Sequence, residues 1–256
     1  MKNIKIYLGI LVMGAISMNF VFHKNEIASL EILKQAETFR IPWKGMSLSA
    51  SILTDGEKAD NHKYKVFYQD SKTLVVFAAP EVEKGNLLLM NGNDLWFYVN
   101  STNKPTRITP IQRLSGSTSF GDLARLSWSV DYNIVRMSDT IIKDAQTSTG
   151  IYKFELAAKS TGATYQKVSL WINKKDSHPI QSQVYLSSGK LYKTLYFNKY
   201  ETVSSKIINT QITFVDHFNK NLKSVLTFSE IKENANIPNR YFITTMLPEV
   251  SNELSK

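Results

Sequence analysis

Residues 167–173 read Lys-Val-Ser-Leu-Trp-Ile-Asn, and residues 191–200 read Leu-Tyr-Lys-Thr-Leu-Tyr-Phe-Asn-Lys-Tyr. Apolar and polar side chains alternate in both stretches, and successive side chains of a β-strand point to opposite faces of its sheet. Each stretch therefore predicts a strand with one apolar face. Ser169 and Asn173 should face water. The side chains expected to share the water-inaccessible face are Val168, Leu170, Ile172, Leu195 and Phe197.

Short runs rich in β-branched and aromatic residues, separated by turn-forming residues, continue this pattern over most of the chain. The predicted strands are Met46 to Leu53, Tyr64 to Gln69, Thr73 to Ala79, Asn86 to Met90, Leu95 to Asn100, Ile151 to Ala158, Lys167 to Asn173, Ile180 to Ser187, Leu191 to Tyr200, Asn209 to Asp216 and Ser224 to Ile231. Most connections are too short for crossover helices, so the strands should run antiparallel as a meander. So many strands predict a sheet that curls strongly or closes.

Two helical segments are predicted to cover the apolar face of this sheet. Residues 26–38 place apolar side chains at helical spacing, and Pro42 follows to stop the pattern. The second helix, which we call the lid segment, runs from Ser119 to about Trp128 and begins with an approximate capping box formed by Ser119 and Asp122. Gly116 and Gly121 are expected to give this loop freedom to move.

The apolar sheet face and the lid segment are expected to enclose a ligand cavity. Phe120, Leu123 and Leu126 of the lid segment should point into it. The predicted lining of the cavity consists of Leu95, Phe97, Val99, Phe120, Leu123, Leu126, Val168, Leu170, Ile172, Leu195, Phe197, Ile212 and Phe214.

The amino terminus predicts export. Lys2 and Lys5 precede an uncharged, mostly apolar run over residues 6–22, as in a secretory signal. We therefore expect residues 1–23 to form a signal peptide, or alternatively a retained anchor, and residues 24–256 to form a single exported domain. Cleavage separates the two alternatives, because a cleaved protein should start near Met18 or later.

The amino-acid composition limits which classes of function are possible. The 256 residues include no cysteine, which excludes disulfides, thiolate metal sites and cysteine nucleophiles. The formal net charge is +9, but the lysines are spread along the chain. This distribution suits weak attraction to anionic membrane surfaces or an acidic partner, and no nucleic-acid partner is expected. The aromatic and lysine residues of 191–200 are interpreted as an exposed strand whose lysines prevent edge pairing.

No motif indicates an enzyme. Residues 116–123 read Gly-Ser-Thr-Ser-Phe-Gly-Asp-Leu, but Asp122 stands where a phosphate-binding loop needs lysine. The nucleophile-elbow pattern also fails, because Ser117 stands where Ser119 would need a preceding glycine. The four histidines lack metal-ligand spacing. We therefore expect no catalytic residues, no bound metal and no cofactor.

Several segments together resemble the outer membrane lipoprotein-sorting family, the relatives of the periplasmic lipoprotein carrier. Residues 31–42 read Glu-Ile-Leu-Lys-Gln-Ala-Glu-Thr-Phe-Arg-Ile-Pro and resemble that family's opening helix. Asn-Leu-Leu-Leu-Met at 86–90, Asp-Leu-Trp-Phe-Tyr at 94–98, Pro-Thr-Arg-Ile at 105–108 and the loop at 114–123 are similar to its central strands, basic turn and loop. The resemblance implies an unclosed β half-barrel with a helical lid over an apolar cavity, located in the periplasm of a Gram-negative cell.

The leading hypothesis is a carrier whose cavity shields an acyl chain of a lipoprotein or of a lipid during envelope transport. A second hypothesis is an anchored accessory subunit that docks onto an inner-membrane transporter, since the resemblance includes longer members that accompany such transporters. A third, an envelope hydrolase, would require two carboxylates, or a serine and a histidine, to converge in the pocket.

Overall fold

The computed structural model describes residues 27–55, 62–92, 94–124, 127–143, 148–220 and 222–255. Residues 27–38 are helical and form α1. The predicted signal peptide at residues 1–23 and position 126 lie outside the described residues. No helix in the described ranges has the length and apolarity needed to cross a membrane.

The strands are β1 Gly45–Thr54, β2 His62–Gln69, β3 Lys72–Ala79, β4 Leu87–Asn91, β5 Asp94–Val99, β6 Lys104–Ile108, β7 Arg113–Ser115, β8 Thr118–Ser119, β9 Tyr132–Lys143, β10 Ser148–Ala158, β11 Lys167–Asn173, β12 Pro179–Tyr185, β13 Leu191–Val203, β14 Lys206–Asp216 and β15 Leu222–Glu233. The remaining helices are α2 Phe120–Ala124, α3 Trp128–Asp131 and α4 Leu247–Leu254, with 3₁₀ turns at Glu81–Glu83, Asn239–Phe242 and Thr244–Met246.

Within the described residues, thirteen strands form one antiparallel sheet in the order β6-β5-β4-β3-β2-β1-β15-β14-β13-β12-β11-β10-β9. The sheet consists of two meanders joined where β1 pairs with β15. Strands β6 and β9 form its two ends and do not pair with each other, so the sheet is not closed into a barrel. The predicted fold class, a mainly β chain with an unclosed antiparallel sheet and a few helices, is confirmed.

All eleven predicted strands are present, but the long edge strand β9 was missed. A β-bulge explains this, because Glu155 pairs with Arg136 whereas the next residue, Leu156, pairs with Ile134. The extra residue, Val135, is 66% exposed and interrupts the alternation that a strand prediction relies on. Strand β6 was also missed, and it contains Pro105, a residue that sheets tolerate at an edge.

The inner face of the sheet has the predicted register. Val168, Leu170 and Ile172 are at most 3% exposed, and they belong to one apolar core with Leu195 and Phe197. The prediction that Ser169 faces water is only partly correct. This residue lies on the opposite face, where it pairs across strands with Glu155 and Gln183, yet it is only 8% exposed.

A second apolar core lies on the outer face of β3 to β5, where the sequence had predicted no helical cover. Leu74, Leu87 and Tyr98 pack there against side chains of the carboxyl-terminal segment, residues 237–254. Most residues of β3 and β4 are therefore buried on both faces of the sheet. This explains why residues 73–79 and 86–90 read as continuous apolar runs instead of alternating ones.

Candidate ligand-binding site

Three helices cover the concave face of the sheet. Leu33 and Ala36 of α1, Leu123 and Ala124 of α2 and Trp128 of α3 belong to the same apolar core as the inner strand residues. The Trp128 ring meets the Phe197 ring edge-on, with 6.0 Å between centroids. The concave face is therefore covered by α1, α2 and α3.

The predicted cavity residues fall into three groups. The first comprises fully buried members of the inner core: Leu95, Leu123, Val168, Leu170, Ile172, Leu195, Phe197, Ile212 and Phe214. Phe97 and Phe120 form the second group, which is partly buried, and their rings contact each other at 5.4 Å between centroids. Val99 lies outside both apolar cores, because it is the last residue of β5 and faces Lys104 across the turn to the edge strand. Leu126 lies outside the described residues.

The space beneath the lid segment is small in this conformation. A cavity of about 30 Å³ lies between the strand side chains Val66, Ile208 and Phe228 on one side and Leu123 and Ala124 of the lid segment on the other. That volume holds about two water molecules. Ligand pockets commonly have about 300–1,000 Å³, so this cavity is too small for a ligand as it stands, and we refer to this arrangement as closed.

Arg40 fastens the lid segment to the body of the protein. Its Nη2 donates a hydrogen bond of 2.5 Å to the backbone carbonyl oxygen of Asp122, and its guanidinium lies over the Phe228 ring at 5.4 Å. Burial lowers the pKa of Arg40 to about 10, although the charge of Asp122 opposes this shift. Its buried Nη1 has no hydrogen-bond partner among the described residues. A second fastening is the hydrogen bond of 2.8 Å from Thr73 Oγ1 to the Ala124 carbonyl oxygen.

A buried polar cluster holds the lid segment at its start. Lys193 Nζ donates to Ser119 Oγ at 2.7 Å and forms an ion pair with Asp122 Oδ2 at 3.3 Å. Tyr165 donates its phenolic hydrogen to Asp122 Oδ1 at 2.7 Å. The Lys193 and Asp122 side chains are 1% and 0% exposed. Burial, and then the charge of Asp122, raises the pKa of Tyr165 well above its ordinary value, so the phenol remains a donor.

Sequence reasoning missed Lys193, which it had interpreted as an exposed lysine on an edge. That interpretation is wrong, because β13 is an interior strand and Lys193 is buried. A signal was nevertheless available. Residues 193, 195 and 197 share one face of the strand, so Lys193 stands in the same register as Leu195 and Phe197. A lysine in an apolar register predicts a buried charge with a partner.

The lid segment is two short helices, α2 and α3, separated by positions 125 and 126, which lie outside the described residues. The predicted capping box is half formed. Asp122 Oδ2 accepts the backbone N–H of Ser119 at 2.8 Å, as the box requires, but the Ser119 hydroxyl accepts from Lys193. The first turn of α2 is therefore held against the sheet by the same Asp122 carboxylate that caps the helix.

Gly116 and Gly121 allow the loop to pack closely against neighbouring side chains. A Cβ on Gly116 would lie 1.9 Å from Thr54 Oγ1 and 2.3 Å from Ser224 Oγ, and one on Gly121 would lie 2.1 Å from Thr164 Oγ1. Both glycines therefore pack closely against neighbouring side chains, and the expectation that they make the loop mobile stays a prediction.

Replacing Gly116 with alanine should lower the free energy of unfolding by about 1–3 kcal/mol more than the matched change Gly92→Ala. Both glycines have positive φ, at 50° and 60°, so both variants carry a similar backbone penalty. Only the Gly116 variant adds a steric clash, because a Cβ at Gly92 meets nothing within 4 Å. Urea unfolding measures the difference, and equal losses for the two variants would contradict the close packing.

Glu37 ties α1 to α3. Its two carboxylate oxygens accept the backbone N–H and the hydroxyl of Ser129, each at 2.7 Å, in the first turn of α3. Burial raises the pKa of Glu37, and these hydrogen bonds oppose the shift. The contact fixes the far end of the lid segment to the opening helix.

The sheet and its helical cover have a LolA-like fold. A LolA superfamily protein from Nitrosomonas europaea is 29% identical, with a TM-score of 0.74 over 83% of this chain and 96% of that one. A domain assigned to outer membrane lipoprotein-sorting proteins from Vibrio parahaemolyticus is 17% identical, with a TM-score of 0.69 over 86% and 97% of the two chains. A DUF1329 family protein from Desulfovibrio piger is also 17% identical, with a TM-score of 0.68 over 87% and 98%.

A family model described as "Uncharacterized protein" matches residues 69–249, and the chain belongs to that family. No curated protein matches the sequence.

Proposed function

We propose that this protein is a periplasmic carrier that shields the acyl chain of a lipid or lipoprotein in its concave apolar face. The observation that carries the proposal is the single apolar core shared by the inner strand residues and the lid segment. Transfer of an acyl chain from water to an apolar site contributes about 0.8 kcal/mol per CH₂, so several buried carbons suffice for useful affinity. The likeness to the LolA superfamily protein supports this function.

Binding requires the lid segment to move, because the closed cavity is far smaller than an acyl chain. The polar contacts that hold the lid segment in place are suited to such a movement. Arg40 and Thr73 hold backbone carbonyl oxygens of the lid segment, and Lys193 and Tyr165 hold one carboxylate. A few polar contacts can be exchanged in a single step, whereas the sheet keeps its hydrogen-bonded ladders.

The geometry favours a carrier over a hydrolase. Ser119 and Lys193 lie within hydrogen-bond distance, as a serine nucleophile and a lysine base would. Lys193 also forms an ion pair with Asp122, which favours the charged lysine, and an ammonium group cannot accept the serine proton. We therefore propose no catalytic role for this pair.

Native mass spectrometry of protein purified without detergent tests the proposed function. We expect a mass shift that corresponds to one co-purified acyl-containing molecule, and loss of that shift after delipidation. Protein that carries no lipid, and that binds no acyl-chain probe after delipidation, would contradict the carrier. Sequencing the amino terminus of the purified protein separates a cleaved carrier from an anchored subunit.

A further inference from the structure

The buried ion pair joins two parts of the protein that the proposed function requires to separate. Asp122 and Ser119 belong to the lid segment, whereas Lys193 belongs to interior strand β13 and Tyr165 to the connection between β10 and β11. All four side chains are at most 2% exposed. Opening the lid segment therefore removes the Asp122 carboxylate from Lys193 and Tyr165.

The body side of this cluster is a preformed carboxylate site. Lys193 Nζ and the Tyr165 hydroxyl are donors placed to bind the two oxygens of one carboxylate, at 3.3 Å and 2.7 Å. The Tyr192 ring lies 4.7 Å from the same ammonium and supports its charge. These groups lie beside Leu195, so an anion bound there would adjoin the apolar face.

The electrostatic cost of opening depends on the chemistry of the ligand. A buried ion pair that loses one member leaves a charge in an apolar surrounding, which is strongly unfavourable. An acyl chain attached only through esters or amides brings no charge that could replace Asp122. A ligand with an anionic group next to its acyl chain can replace that carboxylate with its own.

Arg40 is a second cation that, like Lys193, belongs to the body of the protein and not to the lid segment. Arg40 donates a hydrogen bond to the backbone carbonyl oxygen of Asp122, the residue that moves away when the lid segment opens. Its Nη1 is buried beside the closed cavity and has no hydrogen-bond partner among the residues described. A guanidinium with an unused donor favours an oxygen-rich anionic group.

We propose that the ligand is an anionic amphiphile whose carboxylate or phosphate replaces the Asp122 carboxylate at Lys193 and Tyr165 while its acyl chain enters the apolar face. This inference rests on the proposed carrier function and narrows its ligand. It favours a fatty acid or an anionic phospholipid over the uncharged acyl groups of a lipoprotein.

The test compares two fluorescent probes with the same acyl chain, the anionic cis-parinaric acid and its uncharged methyl ester. Each is titrated into the delipidated full-length protein at about pH 8, where a fatty carboxyl is ionised. We expect the acid to bind at least about tenfold more tightly than the ester. Two competitors that differ by one phosphate, oleoyl lysophosphatidate and monooleoylglycerol, then distinguish a phosphate lipid from a fatty acid. Displacement of the acid probe by the lysophosphatidate alone indicates a phosphate lipid, and displacement by neither competitor indicates a fatty acid.

The double variant Asp122→Asn/Lys193→Met removes both charges and should abolish the preference for the acid while retaining ester binding. The matched control Lys199→Met removes an exposed lysine of the same strand and should leave the preference unchanged. An ion pair that served only to hold the lid would alter both probes equally, so an unchanged acid-to-ester ratio in the double variant would overturn the inference. Equal binding of both probes to the wild type would also overturn it, whereas failure of both probes to bind would contradict the carrier function itself.

Discussion

Replacing Lys193 with methionine should lower the free energy of unfolding by about 3–5 kcal/mol. The methionine side chain fills a similar volume, so the loss arises mainly from charge. It leaves the fully buried Asp122 carboxylate without its ammonium partner, with Tyr165 and the Ser119 N–H as remaining donors. Urea unfolding followed by tryptophan fluorescence measures this loss.

Two further variants make the measurement specific to the ion pair. Asp122→Asn/Lys193→Met should lose clearly less stability than Lys193→Met alone, because an apolar and an amide group can share a buried site without an unpaired charge. Lys199→Met, which changes an exposed residue of the same strand, should stay within about 0.5 kcal/mol of the wild type. A double variant as unstable as the single one would show that packing, and not charge, makes Lys193 important.

Replacing Leu123 with aspartate should open the lid segment. Leu123 is 5% exposed in the inner core and borders the cavity, so a carboxylate there would favour the open state by about 3 kcal/mol or more. Release of cis-parinaric acid should accelerate at least about tenfold, since 1.4 kcal/mol corresponds to a factor of ten. Stopped-flow fluorescence measures the rate, and far-ultraviolet circular dichroism reports on the sheet.

Leu53→Asp is the matched control, because Leu53 is 48% exposed on β1 and should tolerate the charge. Loss of the β signal in Leu123→Asp together with loss of binding would show that Leu123 is permanent core and not part of a lid. A folded Leu123→Asp variant with unchanged affinity and release rate would show that the lid segment does not control the cavity.

The inner face of the sheet could be predicted from the sequence because alternation is a local signal. Val168, Leu170 and Ile172 reveal their common face within seven residues, and neighbouring strands repeat the pattern. The start of α2 could be predicted for a similar reason, since Ser119 and Asp122 are three residues apart and do form half of a capping box. Among the predicted cavity residues that the structure describes, all but Val99, at a strand end, belong to the inner core or pack against it.

The polar cluster and the outer core could not be predicted because their contacts join distant parts of the chain. Lys193 meets Asp122 across 71 positions and Tyr165 across 28. The second core likewise depends on residues 237–254 reaching the outer face of β3 to β5. Spacing within a strand shows that a side chain is buried, but it does not show which distant side chain lies opposite.

The pairing of β1 with β15 determines when the protein can finish folding. About 170 residues separate the end of β1 from the start of β15, so a ribosome working at about 5–20 residues per second needs roughly 10–30 s to supply the partner strand. Until then β1 presents an unpaired edge, and the outer face of β3 to β5 lacks the segment that buries it. Contacts of such high sequence separation also slow the folding step itself. The meanders β1 to β6 and β9 to β15 pair strands that follow one another in the chain, but the junction between β1 and β15 can form only after residue 222 has been synthesised. A product truncated before that residue therefore cannot complete the native sheet.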